Sequence, residues 1–279
     1  MTPRSLALLL ALAAPAAAQQ KPPSPPAAPA AYAYADLADL TLAAPVIADA
    51  VVRSTTRLKG ADLAGVAPGR TRLYVEADVI ALIRGAGGLQ PRVGYLLDVQ
   101  PDWRGRLPAL KKTRVLLFAR PAPETPGQLQ LVAPDAQLPW TPAVDASVRS
   151  IARAALGPDA PLRLTGVREA FHVAGALPGE GETQVFLSTA DRRPVSLSVL
   201  RRPGERPRWA VALSEIVDEA AAPPPRDSLL WYRLACSLPP ALPPASTAGL
   251  APADADAAAD DYRFVLAQLG PCGRTRAAF

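Results

Sequence analysis

The chain contains a single histidine, His172, so any mechanism with an imidazole base must use this residue. Alternation around it predicts a strand with Phe171 and Val173 on one face and His172 on the other. No Gly-x-Ser-x-Gly motif supplies a serine nucleophile, which favours a histidine on the polar face of a sheet. The residues that could contact it depend on the strand register: Glu169, Ser188, Ser196 and Ser198.

Two glutamates, Glu180 and Glu182, flank Gly181 in a predicted turn. Acid/base hydrolysis of a glycoside needs two carboxyl groups about 5 to 10 Å apart across a cleft. The spacing of these two residues does not indicate whether they face the same cleft.

Arginines are concentrated in one region, opposed only by Asp191 and Glu205: Arg192, Arg193, Arg201, Arg202, Arg206 and Arg208. Guanidinium groups suit phosphate and carboxylate ligands because their planar forks match those anions. We predict that two adjacent hairpin ends bring the six together into a salt-sensitive anion-binding face. The alternative is a set of solvated hairpin tips in an arginine-rich chain.

The only two cysteines, Cys236 and Cys272, lie near the C-terminus. In an exported chain such a pair predicts a disulfide. A zinc site would need carboxylates beside two cysteines and one histidine, and there is no Cys-x-x-Cys motif. We therefore expect neither a metal site nor a cofactor.

Residues 1–18 have the features of a cleavable signal peptide: a basic start, an apolar run and small residues before the expected cleavage site. Residues 19–34 form a Pro/Ala-rich segment that predicts a disordered linker. The apolar run is too short to cross a bilayer, so we expect a periplasmic or secreted protein without a transmembrane anchor.

Composition argues against a nucleic-acid partner. The net charge is only +5 over 279 residues, and no long basic run accompanies it. Asn is absent and the only Met is the first residue, so the high arginine content fits a GC-rich coding bias.

The fold class indicated by the hydrophobic pattern is mainly β with a few helices (α+β). Residues 35–140 contain five predicted strands separated by Gly- and Pro-rich turns, which favours a small five-stranded barrel. The strands are predicted at residues 46–58, 73–83, 92–99, 113–119 and 128–132. The alternating apolar residues of 73–83 are the strongest of these signals.

Three stretches of this block resemble the OB-type barrels of netrin-like modules: residues 82–85, 95–97 and 115–119. The resemblance implies a barrel fold but no binding residue. Netrin-like modules are usually tied by cysteines at the N-terminus, and this block contains none.

Residues 141–157 predict a linking helix, with Thr141 as N-cap, Pro142 in the first turn and Gly157 at the end. The rest, 158–279, predicts an antiparallel meander with strands at 162–173, 183–189, 194–200 and 208–217. Two short disulfide-tied helices follow at 228–236, capped by Asp227, and 255–269.

Residues 181–187 and 230–236 give the whole chain a similarity to uncharacterised exported proteins of GC-rich proteobacteria. That similarity implies no activity. The sequence favours a non-enzymatic binding module for an envelope protein or an anionic envelope polymer. An envelope hydrolase that uses His172 is the alternative.

Overall fold

The structure is a computed structural model and describes residues 32–123, 125–213 and 222–276. The predicted signal peptide and residues 19–31 of the predicted linker lie outside the described residues. No helix within these ranges is both long and apolar enough to cross a bilayer.

The first sheet closes into a five-stranded barrel because its first strand pairs with two neighbours. The strand order is β1-β2-β3-β5-β4, and β4 pairs back with β1. Only the β3–β5 pair is parallel. These five strands confirm the predicted OB-like barrel: β1 (Val46–Arg57), β2 (Thr71–Arg84), β3 (Arg92–Val99), β4 (Arg114–Pro121) and β5 (Gln128–Leu131).

Alternating burial explains why the barrel strands were predictable. Strand β2 buries Leu73, Val75 and Ala77 while the side chains between them remain partly exposed. A short strand that was not predicted, β6 (Gln137–Pro139), pairs with β4 outside the closed set. Its three residues are too few to show a period.

The chain enters the barrel through a helix that was not predicted, α1 (Tyr34–Ala43). The predicted linker therefore extends too far, since Tyr34 is already helical. The helix buries Leu37 and Leu40, and it also buries the carboxylate of Asp36. Its stability depends on tertiary contacts with α2, α3 and β4, as expected for a helix this short.

The linking helix α2 (Pro142–Leu156) begins as predicted, because the Thr141 hydroxyl accepts a hydrogen bond from the backbone N–H of Val144 at 3.2 Å. The predicted C-terminal helices are also present, as α3 (Leu229–Ala235) and α4 (Pro252–Leu269). The cap of α3 is Ser228 instead of Asp227, since the Ser228 hydroxyl accepts from the N–H of Trp231 at 3.1 Å.

The second sheet is a four-stranded antiparallel meander in the order β7-β8-β9-β10. Its strands are β7 (Leu164–Ala174), β8 (Gly181–Thr189), β9 (Val195–Arg201) and β10 (Arg208–Ala212). Strand β10 ends five residues earlier than predicted, and residues 214–217 lie outside the described ranges. Helix α4 packs against β7 and β8, which defines an inner face and an outer face of this sheet.

The predicted disulfide between Cys236 and Cys272 is present. Cys236 is the C-cap of α3, and Cys272 follows the end of α4 by three residues. Because α3 also contacts α1 and α2, the disulfide ties the helices beside the barrel to the helix that covers the meander.

Candidate functional site

The six predicted arginines do not converge. Residues 190–194 connect β8 to β9, and residues 202–207 connect β9 to β10, so the two turns lie at opposite ends of β9. Strand β9 has seven residues, which is about 20 Å of extended chain. The predicted single face is wrong because consecutive turns of an antiparallel meander alternate between the two ends of the sheet.

The second turn and its flanks contain four of the predicted arginines, and not all of them are free to bind a ligand: Arg201, Arg202, Arg206 and Arg208. Arg201 lies in β9, and its Nε bonds to the fully buried carboxylate of Asp261 on α4. Arg208 pairs with Glu205 at 3.7 Å, with both side chains largely exposed. Arg201 is therefore a half-buried residue that is paired with a buried carboxylate instead of a free turn residue, while Arg202 and Arg206 are exposed.

The first turn forms one wall of a cleft of about 500 Å³ on the outer face of the meander. We call it the arginine cleft, defined by Arg168, Arg192, Arg193, Phe186, Ser188 and Ser196 among its lining residues. Every charged side chain that lines it is an arginine. A cationic cleft with serine hydroxyls beside it can bind a phosphate or carboxylate group.

A β-bulge places the third arginine in the cleft. Val167 pairs with Leu187 and Glu169 pairs with Phe186, so Arg168 is an extra residue in β7. The guanidinium carbon of Arg168 lies 5.7 Å from the centroid of the Phe186 ring. The bulge thus places a cation above an aromatic surface.

The turn that carries the other two arginines is held by internal hydrogen bonds. The backbone N–H of Arg192 donates to the carbonyl of Thr189 at 3.2 Å, and the Thr189 hydroxyl donates to the carbonyl of Arg193 at 2.7 Å. Arg193 pairs with Asp191 at 3.0 Å and holds the pKa of that carboxyl below its ordinary value. Within the described ranges, Arg168 and Arg192 form no ion pair.

His172 lies on the inner face of the meander, while Phe171 and Val173 are 44% and 68% exposed on the outer face. The predicted alternation is confirmed, but His172 is not on a solvent-facing polar surface. Its partner is Thr183, with 2.8 Å between Nδ1 and the hydroxyl oxygen. The four partners suggested by the sequence lie on the other face: Glu169, Ser188, Ser196 and Ser198.

The hydrogen-bond network assigns the tautomer of His172. The hydroxyl of Thr183 donates its one proton to Asp261 Oδ2 at 2.5 Å, so it accepts from Nδ1–H of the imidazole. When the ring is neutral, Nε2 is then the nitrogen that carries the free lone pair. Both Thr183 and Asp261 are fully buried, which fixes the orientation of the ring.

A pocket of about 320 Å³ lies beside this histidine and is lined by Glu180, Gly181, Arg201 and Asp260. A Cβ at position 181 would lie 2.9 Å from Cε1 of His172, so a larger residue there would have to displace the imidazole ring. Glu182 bonds to Gln184 at 2.9 Å and does not line this pocket. The two glutamates therefore do not form an acid/base pair in this pocket.

A larger cleft of about 700 Å³ lies on the barrel, but most of its polar side chains form ion pairs or hydrogen bonds with one another. Arg72 and Asp98 form a two-pronged ion pair at 2.7 and 2.9 Å. Gln128 donates to the hydroxyl of Tyr74 at 2.8 Å. This cleft offers a ligand fewer unpaired cationic groups than the arginine cleft does.

No cluster of three or more potential metal ligands is present in the described part of the chain. Arg168 and Phe186 were not predicted as site residues, because a bulge in β7 and its register with β8 bring them together. The only local signal was the interrupted alternation Gly166-Val167-Arg168-Glu169.

Comparison with protein-family models finds no match for this chain. Comparison with curated protein sequences finds no relative.

Proposed function

We propose that this protein is an exported binding module that holds phosphate or carboxylate groups of an anionic envelope polymer in the arginine cleft. The observation that carries the proposal is that all charged residues lining the cleft are arginines: Arg168, Arg192 and Arg193. The signal-peptide features of residues 1–18 support export to the periplasm or the cell exterior.

The chemistry of the cleft favours an anion attached to a ring. Arg168 and Arg192 offer planar donor forks that can each hold two oxygen atoms of an anion. Ser188 and Ser196 add neutral donors, and the ring of Phe186 supplies an apolar surface below them. A phosphorylated or carboxylated sugar of an envelope polymer combines these groups.

Salt dependence is expected because the cleft is open and its cations are exposed. The Debye length is about 8 Å at physiological ionic strength, so longer-range attraction between cleft and polymer is screened there. Direct guanidinium–anion contacts inside the cleft should persist, since each is worth about 1.5–3 kcal/mol.

Replacing the three cleft arginines with glutamine should weaken retention on immobilised lipopolysaccharide at least tenfold, because the charge-assisted contacts of Arg168 and Arg192 are lost together with the positive charge of Arg193. Glutamine keeps part of the aliphatic stem and removes the charge. The measurement is elution of wild type and of R168Q/R192Q/R193Q across a rising salt gradient. A soluble phosphorylated saccharide should displace the wild-type protein.

The matched control is R202Q/R206Q/R208Q, which removes the same charge at the opposite end of β9. This variant should elute like wild type. If both triple variants elute equally early, retention depends only on net charge and the cleft is not the binding site. If wild type is not retained at low salt, the proposal fails.

A second candidate function, an envelope hydrolase, is favoured by one observation: Thr183 and Asp261 leave Nε2 of His172 basic beside a pocket. Since no serine or cysteine lines that pocket, Nε2 would activate a water molecule, with Glu180 nearby.

A panel of ester, glycoside and peptide probes tests this second candidate. If His172 is the base, H172A should lower turnover at least 100-fold, as expected for loss of general-base catalysis. E182Q, on the outer face, should keep full activity. Absence of turnover by wild type on the whole panel would remove this candidate.

A further inference from the structure

Trp103 is 85% exposed at the tip of the connection between β3 and β4. Tryptophan is usually well buried, because its large ring gains much free energy on leaving water. Trp209 and Trp231 follow this rule, since they are only 8% and 3% exposed. A single exposed apolar side chain is by itself a normal surface feature, but this indole stands on an ordered turn among basic residues, and that combination suits a contact outside the chain.

The tip is an ordered turn built around Asp102. Its Oδ1 accepts from the backbone N–H of Arg104 at 2.9 Å and of Arg106 at 2.8 Å. The N–H of Gly105 donates to the Asp102 carbonyl at 2.8 Å, and Gly105 has a φ of 76°. Trp103 is therefore presented on a convex turn that is fixed before any partner arrives.

The base of the same connection is attached to the barrel. Leu107 and Leu110 pack against the hydrophobic core. The N–H of Lys112 donates to the carbonyl of Val52 in β1 at 2.7 Å. The exposed ring thus projects from a rigid support.

Basic residues share this end of the barrel with Trp103, and the guanidinium carbon of Arg104 lies 4.2 Å from the centroid of its ring. The β1–β2 connection (58–70) and the β3–β4 connection (100–113) leave the same end, since Thr71 pairs with Val99 and Val51 pairs with Arg114. Together they contain six basic residues and two aspartates, and Asp102 is committed to its turn. All six basic residues are exposed: Lys59, Arg70, Arg104, Arg106, Lys111 and Lys112.

We propose that this end of the barrel, which we call the basic tip (58–70 and 100–113), docks on the surface of an anionic phospholipid bilayer. Trp103 enters the headgroup region, where an amphipathic aromatic ring is favoured, and Leu63, which is 37% exposed, adds apolar area. The surrounding cations attract anionic headgroups.

A bilayer fits the shape of the basic tip better than a protein or a soluble polymer. The aromatic ring stands on a convex turn, so it must enter the partner, and a fluid headgroup layer accepts such a ring without a preformed pocket. The proposal is independent of the arginine cleft, because the two surfaces share no residue.

Vesicles test this proposal directly. Wild type should co-sediment with vesicles of phosphatidylglycerol and phosphatidylcholine and much less with phosphatidylcholine alone. Binding should shift the tryptophan emission to the blue, because Trp103 is by far the most exposed indole among the described residues. W103S should remove that shift and lower partitioning about tenfold.

R104Q should lower partitioning roughly fivefold, since each cation near an anionic surface contributes about a fivefold factor and Arg106 is already paired with Asp102. W103F should keep most of the binding, and R202Q/R206Q should match wild type. Circular dichroism melts should be unchanged in all four variants, because the substituted side chains are exposed.

The outcomes separate this inference from the proposed function. R168Q/R192Q/R193Q should bind these vesicles like wild type even if it loses lipopolysaccharide. Equal vesicle binding by W103S and wild type would overturn the inference. The inference would also be overturned if wild type does not bind anionic vesicles, or if position 103 cross-links to a protein instead.

Discussion

Reduction of the Cys236–Cys272 disulfide should lower the free energy of unfolding by about 4 kcal/mol. The cysteines are 36 residues apart in sequence, and opening a loop of this size returns conformational entropy to the unfolded chain. This is a large part of the 5–15 kcal/mol typical of folded domains. We therefore expect the reduced protein to unfold at much lower urea concentration.

Urea unfolding followed by tryptophan fluorescence measures the effect, since Trp231 is buried in α3 next to the disulfide. C236A/C272A should unfold like the reduced wild type and should not respond to reductant. Free thiols in the unreduced, denatured wild type would contradict the prediction, as would an unchanged urea midpoint on reduction.

Replacement of Asp36 with asparagine should destabilise the protein by about 3 kcal/mol at neutral pH, because the carboxylate is buried and holds the C-terminal segment. One oxygen accepts the backbone N–H of Thr275 at 2.9 Å and of Arg276 at 3.0 Å. The other accepts the Thr275 hydroxyl at 2.5 Å and the N–H of Ala33 at 3.2 Å. An asparagine amide would present donors where the protein already supplies donors.

The effect of Asp36 should depend on pH in a definite direction. Burial raises the pKa of this carboxyl, but the hydrogen bonds from Thr275, Arg276 and Ala33 outweigh it and hold the pKa below its ordinary value. A carboxyl with a lowered pKa in the folded state stabilises the fold above its unfolded pKa of about 4. That contribution is lost as the pH falls through the lower, folded pKa.

The measurement is the difference in unfolding free energy between wild type and D36N at several pH values. The difference should be constant from pH 7 to about 5 and should shrink at more acidic pH, as wild type loses its carboxylate. D159N, at an exposed position, should match wild type throughout. A D36N effect that grows at acidic pH would mean that the pKa of Asp36 is raised instead of lowered.

Alternating and periodic patterns made the barrel predictable. Strand β2 keeps one apolar face over many residues, and a register slip of one residue would expose that whole face. Helix α2 was equally clear, because the Thr141 cap and Pro142 are local signals that need no distant partner. The disulfide followed from having only two cysteines in a chain predicted to be exported.

Helix α1 and the network at His172 could not be predicted in this way. The buried Asp36 of α1 finds its partners 239 and 240 residues away, so local sequence carries no sign of them. Thr183 meets Asp261 across 78 residues, and only the packing of α4 on the meander brings them together.

Sequence by itself determined the five barrel strands, the four meander strands, the cap of α2 and where the disulfide lies, because these features depend on local periodicity, on local capping residues and on a unique pair of cysteines. Tertiary structure alone decided which charged residues meet. The alternation of turns separated the predicted six arginines, and the β7 bulge brought Arg168 to Arg192 and Arg193. Placement of charges depends on strand register and on the end of the sheet at which each turn lies, and neither is written in a local pattern.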